Sequence, residues 1–250
     1  MRRFAFVFAA IVFVFAISRA DASARAAAAG DDKSESRTPW DSADRYETRE
    51  IQGWKVPVNK KLIEEKELCD DVLRLLDFQL FQITRQVPPA ALEKIRTIKI
   101  WVELAESHHP CMAFHPDAGW LREHGMNPEK AGCVEIANAR NFLSWTHEQP
   151  WMVLHELAHG YHFFFFEGGY DNPQIAAAYR KAVEAKSYES VLHYNGRKDR
   201  AYALTNPMEY FAESSECYFG TNDFYPFVRA ELKEHDPEMF KLLDELWNRK

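Results

Sequence analysis

The segment Trp151-Met-Val-Leu-His155-Glu156-Leu-Ala-His159-Gly160 narrows the possible folds more than any other part of the chain. Its apolar frame carries H-E-x-x-H, and the pattern predicts a helix from about Glu148 to Phe166. A helix turns about 100° per residue, so the two histidines lie about 40° apart around its axis and roughly 6 Å apart along it. Both imidazoles therefore reach one metal ion. Glu156, one position on, stands beside that ion without capping it, as a base for a metal-activated water must. With 10 histidines and 38 acidic residues among 250, chance supplies fewer than about 0.06 copies of the pattern.

A catalytic zinc commonly takes three protein ligands and keeps one position open, and two histidines with a glutamate form a standard set. Asn206-Pro-Met-Glu209-Tyr-Phe-Ala-Glu213 offers the third ligand at the start of a helix predicted from Met208 to Phe219. Glu209 and Glu213 are four residues apart and share a face. One would bind the metal while the other accepts a hydrogen bond from the second nitrogen of a ligand histidine. Phe211, Ala212, Cys217 and Tyr218 make this helix largely apolar, so the acids on it, Glu216 included, need partners. The expected cofactor is one zinc per chain, and the expected chemistry is hydrolysis of a polarised carbonyl such as a peptide bond.

H-E-L-A-H followed about fifty residues later by Glu209-Tyr-Phe-Ala-Glu213 resembles the gluzincin metallopeptidases. Within that group, Tyr202-Ala-Leu-Thr-Asn206-Pro-Met-Glu209-Tyr-Phe-Ala-Glu213 is similar to the catalytic domain of anthrax lethal factor and its relatives. The likeness spans roughly residues 98–219, and its two motif segments are the specific part. It implies a zincin-like fold in which His155, His159 and Glu209 bind zinc, Glu156 is the general base and Glu213 supports a ligand. It also implies that Tyr202 stabilises the oxyanion or protonates the leaving amine, a role in which Tyr210 and Tyr188 are its competitors. A phenol suits that work because it donates a hydrogen bond while staying neutral. Gluzincins lay their substrate along an edge strand, and the short strand expected over Cys133 to Asn138, just before the metal helix, is the candidate. A chain of 250 residues leaves no room for a toxin's receptor-binding or substrate-capturing domains, so the toxin's substrate class does not carry over.

The rest of the chain is consistent with one exported domain. Arg2 and Arg3 precede an apolar run from Phe4 to Ile17, and Ala22-Ser23-Ala24 offers a cleavage site, so residues 1–24 read as a signal peptide and the protein as secreted or periplasmic. Cleavage there removes Arg2, Arg3, Arg19 and Asp21, a net +2, and takes the formal charge from -7 to -9. That sign excludes nucleic acid as a partner. No later stretch is long and uncharged enough to span a membrane. Residues 25–44 read as a flexible tether and 45–250 as a single domain. It is expected to be α+β: a hairpin of Tyr46 to Ile51 and Trp54 to Val58, a long helix over residues 60–85, strands at Ile98 to Val102 and Val134 to Ile136, then a helical C-terminal lobe.

Export would allow the four cysteines to pair, with Cys111 to Cys133 the favoured bridge and four buried thiols the alternative. His162 reads as a packing histidine. His108, His109 and His115, beside Pro110 and Pro116, read as a shaped loop, with a second metal as the rival. Phe163 to Phe166 read as core, with a substrate pocket as the alternative. The rival functions are a catalytically silent, zincin-shaped protein that binds peptide or glycan, and a zinc hydrolase acting on a non-peptide bond. Intact His155, Glu156, His159 and Glu209 argue against the first, since a silent module has no use for the base.

Overall fold

The computed structural model describes residues 39–248; the stretch read as a signal peptide, and that read as a tether up to residue 38, lie outside them. The two runs flanking Gln52-Gly53 form a hairpin, β1 (Tyr46–Ile51) against β2 (Trp54–Asn59), with Ile51 opposite Trp54. Both turn residues take positive φ, 52° at Gln52 and 89° at Gly53, the geometry that matches a two-residue turn to strand twist. Just ahead of β1, Asp41 accepts from Asn59 Nδ2 at 2.9 Å and pairs with Lys61 at 2.7 Å, so the residues ascribed to the end of the tether are anchored at the end of β2.

The long helix is divided. α1 (Lys60–Glu64) ends where Glu65 leaves helical geometry at ψ 69°, and α2 (Lys66–Gln86) restarts beyond it. The buried side of α2, Cys69, Val72, Leu73, Leu76, Leu80 and Ile83, steps by three and four residues. Pro88 holds Val87 in extended backbone and ends α2, and Pro89 opens α3 (Pro89–Ile95) at a position where no helical N–H acceptor exists.

β3 (Ile100–Val102) is buried throughout. The chain then runs to the edge of the sheet as β4 (Met112–His115), turns through α4 (Ala118–Glu123) and returns as β5 (Cys133–Ile136). The strand order is β1-β2-β3-β5-β4, with β2, β3 and β5 parallel and the two outer strands antiparallel to their neighbours. β5 is therefore interior, and the edge expected at Cys133 to Asn138 is β4 instead. Its alternation is only four residues long and is hidden between Pro110 and Pro116 in what reads as a loop.

The same register corrects the expected disulfide. Cys133 stands opposite His115, whereas the Cys111 carbonyl accepts from Ala137 N at the other end of the ladder. Four residues of strand span about 13 Å, beyond the Cα separation of about 7 Å that a disulfide can bridge. Cys69, Cys111, Cys133 and Cys217 are all buried free thiols.

Beyond β5 the chain is mainly helical: α5 (Ala139–Trp145), α6 (Met152–Phe165) and α7 (Pro173–Ala185), a small hairpin of β6 (Val191–Leu192) and β7 (Lys198–Asp199), then α8 (Pro207–Phe219), α9 (Arg229–His235) and α10 (Pro237–Trp247). This is an α+β architecture with a small mixed sheet and a helical C-terminal lobe. α6 lies between the sheet and α8. A Cβ on Gly160 would stand 2.6 Å from Ile98 Cδ1 and 3.0 Å from Phe114 Cε2, so only glycine lets α6 come this close to the sheet. On the lobe side, Tyr161 stacks on Trp247 with ring centroids 4.3 Å apart. Of the four phenylalanines expected in the core, Phe166 is buried, whereas Phe164 at the end of α6 is 48% exposed.

Glu103, His115 and Glu135 alternate with the residues facing α6 and point to the opposite face of the sheet. There Lys130 reaches Glu103 Oε1 at 2.7 Å and also bonds Glu135, which meets His115 Nε2 at 2.7 Å. Tyr46 and Asn59 each donate to Glu103 at 2.7 Å, completing a buried polar network.

Candidate metal centre

His155 and His159 project from one side of α6, with their Nε2 atoms 3.0 Å apart. Glu209 comes to them from the first turn of α8. Asn206 caps that helix, its side-chain oxygen accepting from Met208 N and Glu209 N at 2.9 Å each, and Pro207 fills the first turn. This start fixes the direction of Glu209, whose Oε2 lies 3.0 Å from His155 Nε2 and 3.3 Å from His159 Nε2.

The Nδ1 of His155 faces Glu216 Oε1 at 2.7 Å. A carboxylate accepts, so the proton belongs on Nδ1 and the Nε2 lone pair is directed at Glu209 and His159. Two imidazoles and a carboxylate then meet with lone pairs converging, an arrangement that a metal cation satisfies. Donors around a tetrahedral zinc with bonds of about 2.0–2.1 Å stand about 3.3 Å apart. The three atoms here are separated by 3.0, 3.0 and 3.3 Å, so the residues fit zinc. Side-chain exposures of 12% for His155, 10% for His159 and 15% for Glu209 leave a narrow opening to solvent, as a catalytic rather than a closed structural site requires.

The electrostatics carry the same demand for positive charge. Burial alone would lower the His155 pKa, but Glu209 and Glu216 outweigh it and raise it well above the ordinary value. Burial likewise opposes ionisation of Glu209, yet the charge of His159 and the hydrogen bonds of both histidines hold its carboxyl far below the usual range. Glu156 projects beside the pair, and its Oε2 accepts from the main-chain N–H of Phe114 on β4 at 2.8 Å.

The partner of His155 Nδ1 is thus Glu216, where Glu213 was expected. Glu213 Oε1 is 3.6 Å away, beyond a hydrogen bond, and neither of its oxygens has a partner among the described residues. Its burial, with Asp223 and Glu216 nearby, raises its pKa well above the ordinary carboxylate range. Glu216 was legible as a site residue: seven residues from Glu209 is about 20° short of two full helical turns, which puts both on one face.

Tyr202 stands on a 3-10 turn (Tyr202–Leu204) ahead of α8, its ring 6.5 Å from that of His155. Its expected competitors are elsewhere, since Tyr188 and Tyr210 both bond Asp236. His162 is fully buried among Phe166, Tyr170 and Phe211, where burial and the neighbouring His159 charge lower its pKa to about 3. The three loop histidines have separate surroundings: His108 faces Glu106 at 3.3 Å, His115 joins the network behind the sheet, and His109 is half-buried, which lowers its pKa. Among the described residues the groups able to hold a metal are His155, His159 and Glu209, and the overlapping His155, Glu213 and Glu216. In the second group a proton on Nδ1 already meets Glu216.

No family model matches this chain, and no curated protein does. Among solved structures, the PRO-PRO endopeptidase PPEP-2 from Paenibacillus alvei aligns over 72% of this chain and 90% of its own, with 17% identity and a TM-score of 0.38. At that TM-score the two backbones share too little of their course for the likeness to bear on fold or function.

Proposed function

We propose that this protein is a secreted, zinc-dependent peptidase of gluzincin type with a zincin-like domain. The observation that carries this is the meeting of His155 Nε2, His159 Nε2 and Glu209 Oε2 within 3.0 to 3.3 Å, with Glu156 alongside. These three residues would hold one zinc, which when bound supplies Lewis acidity and lowers the pKa of water. Glu156 takes the proton from the attacking water and passes it to the departing amine, so that water is added across the C–N bond. The N–H of Phe114 occupies Oε2 and leaves Oε1 for that proton. Tyr202 donates to the carbonyl oxygen as it gains charge. Glu216 orients His155 and fixes its tautomer.

The substrate, an extended peptide or protein segment, lies along β4. Cys111 and Ala137 form a hydrogen-bonded pair in the β4–β5 ladder, so by alternation Met112 and Phe114 turn their main-chain groups outward. With the Phe114 N–H given to Glu156, Met112 N–H, Met112 C=O and Phe114 C=O remain for strand addition. Among the described residues no helix is long and apolar enough to cross a membrane.

The test is metal analysis of the purified mature protein together with cleavage profiling on a diverse peptide library. About one zinc per chain and zinc-dependent cleavage are expected. Protein that takes up no zinc on titration would remove the basis for this function.

A further inference from the structure

Two tyrosines face the histidine pair. Tyr202 approaches His155 with ring centroids 6.5 Å apart, and Tyr170 approaches His159 at the same 6.5 Å, nearly perpendicular at 87°. Tyr170 belongs to a 3-10 turn (Gly169–Asp171) just past the end of α6. The chain doubles back there through successive positive φ values of 78° at Gly168 and 53° at Gly169, a conformation that a side chain at either position would strain. Asp171 N and Asn172 N close the turn onto the carbonyls of Gly168 and Gly169 at 2.9 and 3.0 Å. The Tyr170 ring is then held between His162 and Phe163, at 5.2 Å from each.

The hydroxyl of this clamped ring has no hydrogen-bond partner among the described residues. Phenylalanine occupies all four positions from 163 to 166, so an aromatic needed only for packing could have been a fifth. The charges of Glu156 and Glu209 act on Tyr170 and on Tyr202 alike. Both rings thus stand beside the same histidine pair, Tyr202 on the His155 side and Tyr170 on the His159 side.

We propose that Tyr170 is a second catalytic phenol, donating its hydroxyl hydrogen to the oxygen of the attacked carbonyl from the His159 side, as Tyr202 does from the His155 side. It forms and breaks no covalent bond; its contribution is a hydrogen bond that strengthens as the oxygen becomes anionic. This rests on the metallopeptidase function above.

The experiment compares wild type, Tyr170→Phe and Tyr202→Phe loaded with cobalt(II), whose visible absorption reports metal binding, and titrates each with acetohydroxamate, whose anionic oxygen stands in for the oxyanion. Tyr170→Phe should take up cobalt as the wild type does and bind acetohydroxamate about tenfold more weakly. On a substrate from the peptide library, its kcat should fall by about 10²-fold with KM little changed. Cobalt-loaded Tyr170→Phe that matches the wild type in hydroxamate affinity and kcat overturns the role of Tyr170 alone. A wild type that binds no cobalt overturns the metal function, and this proposal with it.

Discussion

Glu216 Oε1 lies 2.7 Å from Nδ1 of His155, two helical turns along α8 from Glu209, so the two ends of one imidazole are held by the same helix. That bond makes Nε2 the lone-pair atom and fixes the plane of the ring. Glu216→Ala should weaken zinc binding by about 10- to 100-fold, whereas Glu213→Gln, at a carboxyl 3.6 Å from Nδ1 and beyond hydrogen-bond reach of it, should leave it within about threefold. Competition against a chelator of known affinity measures both, and the opposite ranking would return the supporting role to Glu213.

Glu156→Gln separates chemistry from metal binding. Its amide oxygen still accepts from Phe114 N–H, so fold and zinc content should match the wild type, while turnover falls by about 10²- to 10⁴-fold. A variant that retains full turnover would show that the proton goes elsewhere.

His162 and Glu209 give a further contrast. His162 is enclosed by rings and is absent from the donor cluster, so His162→Ala should leave zinc affinity nearly unchanged even if the melting temperature drops. Glu209→Ala removes a ligand and should abolish tight binding. Isothermal titration with zinc distinguishes the two.

What could be read in advance follows from the range of the forces involved. His155, Glu156, His159 and Glu209 were legible because helical spacing alone brings the first three together, and an Asn-Pro start then aims the fourth. The hairpin at Gln52-Gly53 was legible because turn chemistry is local. Glu216 was legible only as an acid in need of a partner on an apolar helix, because the partner it meets depends on α6 lying against it. Tyr170 depends on a backbone reversal at Gly168-Gly169, and its direction cannot be foreseen from residue spacing. β4 was taken for a loop because strand order is set by long-range pairing, which four residues between two prolines do not announce.

The network behind the sheet makes stability depend on acid. Burial would raise the Glu135 pKa, but the His115 hydrogen bond and the Lys130 charge outweigh it and hold it at about 2, below the ordinary glutamate value. A carboxyl with a lowered folded-state pKa contributes stability above its unfolded value and loses it as pH falls through the folded one. Stability should therefore decline between about pH 5 and pH 2, and Glu135→Gln should flatten that part of the profile. Lys130→Met would strand Glu103 and Glu135 without their shared cation, at a cost of about 3–5 kcal/mol. Urea unfolding across this pH range measures each effect.

Gly160→Ala tests how α6 is seated. The added methyl would stand 2.6 Å from Ile98 Cδ1 and 3.0 Å from Phe114 Cε2, and both neighbours are buried side chains. Relief requires α6 to move away from the sheet or Phe114 to shift on β4. Overpacking of this kind costs about 1–3 kcal/mol. Because Phe114 also supplies the N–H that holds Glu156 Oε2, a shift of β4 misplaces the base while His155, His159 and Glu209 keep their places between α6 and α8. Gly160→Ala should therefore melt lower, retain zinc and lose kcat. Gly160→Ala with wild-type melting temperature and kcat would mean that the sheet yields freely at this contact and that Phe114 does not set the position of the base.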